Sequence, residues 1–135
     1  MSEPPASSLQ PPASPLPAWL TDAERSRLER FRQRVRALLG PRLVKLCLFG
    51  SRARGEGHAE SDLDVLVVYR APEDYAADHD LRLAIAGIQC DISEEDGYPL
   101  SAYLQAIVLR QDDWQFNIDR ELLFAREVLE QGIPL

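Results

Sequence analysis

Asp62 and Asp64 open an apolar run that continues through Leu63, Val65, Leu66, Val67, Val68 and Tyr69. Alternate residues of a strand share a face, so the two carboxylates project together, about 7 Å apart. Carboxylates so placed repel unless a cation sits between them, and an all-oxygen donor set suits a divalent ion such as Mg²⁺. Ahead of this pair, Gly50 and Ser51 end a second apolar run, Leu43 to Phe49. The glycine permits close backbone approach and the serine hydroxyl can bond a phosphate oxygen. A carboxylate pair and a phosphate-binding turn together point to nucleotide chemistry.

The elements that must position these groups follow from periodicity and punctuation. Thr21 with Glu24 forms a capping box, and Leu28, Phe31, Val35 and Leu38 recur at helical spacing up to Gly40-Pro41, which predicts an amphipathic helix. Its other face carries Arg25, Arg27, Arg30, Arg32, Arg34 and Arg36, expected to be a solvated basic face. The two apolar runs read as strands of a largely buried sheet. Between them, Ser51 to Ser61 forms a polar connection in which a first helical turn after Gly50-Ser51 would aim backbone N–H groups at a phosphate. Leu81, Ile85, Ile88 and Ile92 predict a long helix from about Glu73 to Asp96, stopped by Gly97. A competing reading breaks the chain at Gly87 and carries Asp91 into the sheet. Leu100 to Leu109 reads as a third strand, and Asp112-Asp113 as the cap of a final helical region ended by Gly132 and Pro134. Glu94, Glu95 and Asp96 are expected at a solvated helix end, and Trp114 and Phe116 in core or partner packing. The fold class is therefore α/β (α+β): a short mixed sheet of three or more strands packed against helices.

Length and charge bound the function. With 135 residues, the chain has room for one domain, residues 19–135, after a Pro/Ser-rich tail over residues 1–18 that cannot bury enough surface to order itself. Asp and Glu number 22 against 15 Lys and Arg, and the net charge of -7 argues against direct nucleic-acid binding through an extended face. Cys47 and Cys90 lack metal-ligand spacing and lie in apolar runs, so both are expected to be buried free thiols. The apolar stretches fall short of the ~18 residues that span a membrane, and no basic-then-apolar leader is seen, so a cytoplasmic protein is expected.

Gly50-Ser51, ten intervening residues and Asp62-Leu63-Asp64 resemble the signature of the nucleotidyltransferase superfamily that includes DNA polymerase beta. Phe49-Gly50-Ser51-Arg52-Ala53-Arg54-Gly55-Glu56 and Ser61 to Val67 are similar, nearly residue for residue, to its small stand-alone members, the minimal nucleotidyltransferases. The resemblance implies the small nucleotidyltransferase fold and metal-dependent transfer of a nucleoside monophosphate, usually AMP from ATP, to an acceptor hydroxyl. It assigns two Mg²⁺ ions to Asp62 and Asp64, and the triphosphate to Gly50, Ser51, Arg52 and Arg54. It also implies a partner: minimal nucleotidyltransferases typically act as antitoxins of small helical HEPN-type toxins, and some adenylylate a tyrosine of the toxin. Homo- or hetero-oligomers are compatible with this.

Active members usually carry a third carboxylate on the next strand. If the long helix runs to Gly97, that strand begins near Tyr98 and Pro99 or Ser101 occupies the position; if it breaks at Gly87, Asp91 becomes the third metal ligand. Without that acid, the alternative is a catalytically impaired protein of the same fold that neutralises a partner by binding only. Transferases acting on small molecules such as aminoglycosides share the motif but need an added substrate-binding domain, for which this chain lacks room.

Overall fold

A computed structural model describes residues 15–58, 61–99 and 101–135. Helix α1, Asp22–Leu39, starts on the expected capping box: Thr21 accepts from the Glu24 N–H while Glu24 accepts from the Thr21 N–H. A short 3₁₀ turn, Gly40–Arg42, leads into β1, Leu43–Phe49, and the turn-bearing connection returns as β2, Leu63–Tyr69. Asp74 caps α2, Tyr75–Glu95, which runs unbroken through Gly87 and crosses to β3, Leu104–Arg110. Helices α3, Gln111–Asp119, and α4, Leu123–Gln131, precede a two-residue strand β4, Ile133–Pro134.

The sheet is four-stranded and mixed, in the order β3-β2-β1-β4. Strands β1 and β2 are antiparallel, β2 and β3 parallel, and β4 runs antiparallel on the free edge of β1. Strand alternation splits the core in two. Leu46, Leu48, Val65 and Val67 pack under α1 and α2, against Leu28, Phe31, Val35, Ile85 and Ile92. Cys47, Phe49, Leu66 and Val68 face the other way, onto Trp114, Ala125 and Val128 of α3 and α4. Asp64 shares the α3/α4 face of β2, since it lies two residues before Leu66.

Several expectations change. The third strand starts at Leu104 because Tyr98 and Ala102 hold left-handed backbone, φ 53° and 56°, which delays regular pairing. The final helical region is two helices, interrupted where Glu121 takes φ 51°, and its N-cap is Arg110, with Asp112 and Asp113 in the first turn, where the helix dipole favours acids. Beyond Gly132 the chain extends instead of simply stopping: β4 pairs with Cys47 and Leu48, and the Leu135 N–H donates to the Leu46 carbonyl at 2.9 Å.

At the acidic end of α2, Glu94 and Glu95 are exposed as expected, but Glu95 and the partly buried Asp96 are also paired, because α1 lies beside them. Arg27 and Arg30 both reach Asp96, and Arg30 and Arg34 reach Glu95, so these three arginines of the basic face are spent on an interhelical network. Cys47 is buried as expected, but Cys90 is exposed: Ile85 and Ile92 turn inward and position 90 lies off their stripe. Trp114 is core, whereas Phe116 is half exposed with the Arg120 guanidinium over its ring. In the segment expected to be a tail, Leu16 packs against the core and the Pro17 carbonyl accepts from the Leu20 N–H and from Arg25; residues 1–14 lie outside the described residues.

Candidate active site

The site forms where β1 ends beside the start of β2. Phe49 pairs with Asp64, which puts Gly50 directly against the aspartate. Gly50 has φ +77°, and a Cβ there would collide with Asp64 Oδ2 and sit 3.2 Å from its Cγ, so this position needs glycine for backbone and for space. The expected helical turn after it is not continued into a helix. Instead, residues 51–55 make tight turns, with the Ala53 N–H on the Gly50 carbonyl and the Arg54 and Glu56 N–H groups both on the Ser51 carbonyl. Gly57, at φ +70°, lies under two hydroxyls: a Cβ there would be 2.8 Å from Ser61 Oγ and 3.0 Å from Ser51 Oγ. Ser51, Ser61 and the Gly50-Asp64 contact thus share one small region.

Asp62 is exposed and Asp64 half-buried. Burial, then the Asp62 charge, then the Glu127 charge all push the Asp64 carboxyl above the usual range. Among the described residues no ion pair reaches either aspartate. A half-buried carboxylate facing two like charges calls for a cation, and the oxygen donors fit Mg²⁺. No group of three or more His, Cys, Asp or Glu side chains among the described residues is arranged around a metal position. Among the described residues, a divalent ion here would draw its protein ligands from Asp62 and Asp64 alone.

The two arginines part company. Arg52 is buried and donates through Nε and Nη2 to Glu24 at 2.9 Å each, through Nη2 to the Trp19 carbonyl at 3.2 Å and through Nη1 to the Glu56 carbonyl at 3.3 Å. Trp19 in turn donates from Nε1 to the Arg52 carbonyl at 2.6 Å, and its ring lies 3.5 Å from where a Gly55 Cβ would be. Arg52 thus braces the turn from beneath. Arg54 reaches over the surface to Glu127 of α4 at 2.7 Å and to Glu56 at 3.1 Å. Glu127 was not visible in the sequence as a site residue; it sits among the outward positions of an amphipathic helix.

Asp91 does not join the site. It is exposed on α2, in the helical layer across the sheet from Asp64, and its charge is felt by Arg34 of α1. Pro99 and Ser101 precede β3 and are not strand residues. Parallel register sets Gln105 beside Asp64 and Ile107 beside Leu66, and both are exposed on the Asp64 face. The strand next to the aspartates offers an amide there and no carboxylate.

Comparison with known proteins identifies the family. A Methanocaldococcus jannaschii protein, named as a candidate protein adenylyltransferase, is 29% identical over 109 residues, which span 81% of this chain and 94% of that protein. A solved structure described as a candidate minimal nucleotidyltransferase superposes with a TM-score of 0.51 at 24% identity, covering 85% of this chain and 97% of that one. A toxin–antitoxin structure with AMP-PNP is more distant, with a TM-score of 0.44 at 18% identity over 78% of this chain and 70% of that one. The nucleotidyltransferase domain model matches residues 28–132, which contain both strands, the Gly50-Ser51 turn, both aspartates and Glu127, and the chain belongs to that nucleotidyltransferase family.

Proposed function

We propose that the protein transfers AMP from ATP to a hydroxyl of a partner protein, with Mg²⁺ held by Asp62 and Asp64. The observation that carries this reading is the Gly50-Asp64 contact, which builds a turn against a carboxylate that has no ion-pair partner among the described residues. Mg²⁺ bound there supplies charge neutralisation for the triphosphate and lowers the pKa of a bound hydroxyl. Ser51, with the backbone around it, holds the terminal phosphates, and Arg54 adds a fixed positive charge. Arg52 contributes by keeping the turn in shape, because its guanidinium is already occupied by Glu24. The acceptor hydroxyl displaces pyrophosphate from the α-phosphorus and gives up its proton to solvent; the β3 residue in register with Asp64 is Gln105 and not an acid.

Protein as the acceptor class is supported by the name of the Methanocaldococcus jannaschii relative, which matches over nearly its whole length. The resemblance of residues 49–56 and 61–67 to minimal nucleotidyltransferases points to a HEPN-type toxin as that partner, with this chain as the cytoplasmic antitoxin. Incubation with α-labelled ATP, Mg²⁺ and such a toxin should label the toxin. Equal labelling by Asp62→Ala/Asp64→Ala would sink the reading.

One observation favours a second reading, neutralisation by binding alone: the amide of Gln105 where an acid would complete the site. On that reading the doubly substituted protein still neutralises its partner. Loss of neutralisation with intact binding would exclude it.

A further inference from the structure

Arg54, in the turn after β1, and Glu127, on α4, lie 73 residues apart in sequence and meet near Asp64, whose carboxyl feels the Glu127 charge. Arg54 leaves the turn just after buried Ala53, and its Nη1 donates to Glu127 Oε1 at 2.7 Å and more weakly to Gln131 Oε1 at 3.4 Å. Its Nε is on Glu56 at 3.1 Å. Both side chains of the bridge are partly open, with 28% of Arg54 and 34% of Glu127 exposed. Helix α4 is fixed to the sheet through Ala125 and Val128, so Glu127 is presented from a rigid base while Arg54 rides on a turn. Glu127 also adds negative charge next to Asp64.

We propose that Glu127 is a positioning residue that holds Arg54 in the free protein and releases it when nucleotide phosphates arrive; this rests on the nucleotide-transfer reading above. The chemistry is a competition among anions for one guanidinium. Glu127 engages Arg54 through a single nitrogen, whereas a phosphate can take two parallel N–H bonds and carries more charge. The bridge is also accessible to water, where a carboxylate–arginine pair is weak. Arg52 provides the contrast, since its two-nitrogen hold on buried Glu24 leaves nothing to exchange. Glu127 therefore lowers affinity for nucleotide in two ways, by occupying Arg54 and by adding a like charge near the phosphates.

Calorimetric titration with a non-hydrolysable ATP analogue and Mg²⁺ tests this on the full chain, comparing the unsubstituted protein, Glu127→Gln, Arg54→Gln and the double variant. Glu127→Gln should bind about two- to fivefold more tightly, the size expected for removing a competing surface charge. Arg54→Gln should bind more weakly, and in its background Glu127→Gln should give a clearly smaller gain than in the unsubstituted protein, because only the like-charge effect is left to relieve. A merely structural Glu127 would instead lower the melting temperature and weaken binding. Unchanged or weaker binding by Glu127→Gln overturns the proposal, as does an undiminished gain in the Arg54→Gln background. Failure of the unsubstituted protein to bind overturns the nucleotide-transfer reading and this inference together, which separates the two failures.

Discussion

Glu24 and Arg52 form a buried, two-pronged ion pair, Oε2 to Nε and Oε1 to Nη2 at 2.9 Å each, that ties the first turn of α1 to the turn carrying Ser51. The same Glu24 carboxylate accepts the Thr21 N–H, so one side chain caps a helix and anchors the site. Removing one partner would strand a buried charge, a loss of about 3–5 kcal/mol. Glu24→Gln and Arg52→Met should each lower stability by roughly that amount in urea unfolding. Glu24→Leu/Arg52→Met should recover much of the loss, since no buried charge remains unpaired. Singles that prove neutral would mean that the pair does not brace the turn.

Acid should unfold the protein through Glu24 and Asp78. Burial pushes the Glu24 carboxyl up, but bonds from Arg52 and Thr21 outweigh it and leave it below the usual range. Burial likewise pushes Asp78 up, and hydrogen bonds from Tyr69 and Arg110, the latter at 2.6 Å, bring it below the usual range. A carboxyl lowered by folding stabilises fully above its unfolded pKa, near 4, and that stability is lost as pH falls through the folded value. Melting curves from pH 7 down to pH 3 should show this decline. It should be shallower in Asp78→Asn, which begins less stable at neutral pH.

Asp64 has the opposite sign. Its carboxyl is raised by folding, so the folded form binds the proton more tightly, and stability is lost as pH rises from the unfolded pKa through the folded one. Asp64→Asn should therefore melt higher than the unsubstituted protein at pH 7 and, if AMP transfer is the activity, be inactive in it. Added Mg²⁺ should raise the melting temperature of the unsubstituted protein and leave that of the variant unmoved. A lower melting temperature for Asp64→Asn would refute the charge argument.

Two glycines should respond oppositely to alanine. Gly50→Ala meets a positive φ and the Asp64 carboxylate together, and should cost at least about 1–2 kcal/mol while displacing the Asp64 side chain. Gly87 lies in the middle of α2 with ordinary helical backbone, and a Cβ there meets nothing within 4 Å. Gly87→Ala should add up to about 1 kcal/mol of stability. Urea unfolding of both variants checks the pair.

What could be read in advance was what depends on local pattern. The capping box of Thr21 and Glu24, the apolar runs of β1 and β2 and the period of Leu81, Ile85, Ile88 and Ile92 specify elements through neighbours in sequence. The start of β3 was obscured because Tyr98 and Ala102 adopt left-handed backbone without being glycines. Strand β4 is only two residues long and owes its form to Cys47 and Leu48, far away in the chain. Charges were the least legible. The sequence displays arginines but not their partners, so the engagement of Arg52 by Glu24, of Arg54 by Glu127 and of Arg30 by Asp96 emerges only from packing.

Gln105 offers a test of whether the site is limited by its missing acid. It is the β3 residue in register with Asp64, on the same face and exposed, so a shorter carboxylate side chain there meets no packing objection. Gln105→Asp would put a third oxygen anion beside Asp62 and Asp64, where repulsion in the free protein is relieved only by a bound cation. The variant should thus be slightly less stable without divalent ions, bind Mn²⁺ more tightly in an electron paramagnetic resonance titration, and gain more melting temperature from Mg²⁺ than the unsubstituted protein does. If AMP transfer is the activity, its rate should rise too, because an acid would stand ready for the acceptor's proton. Unchanged Mn²⁺ affinity would mean that position 105 is not directed at the cation, and that any third ligand has to come from elsewhere.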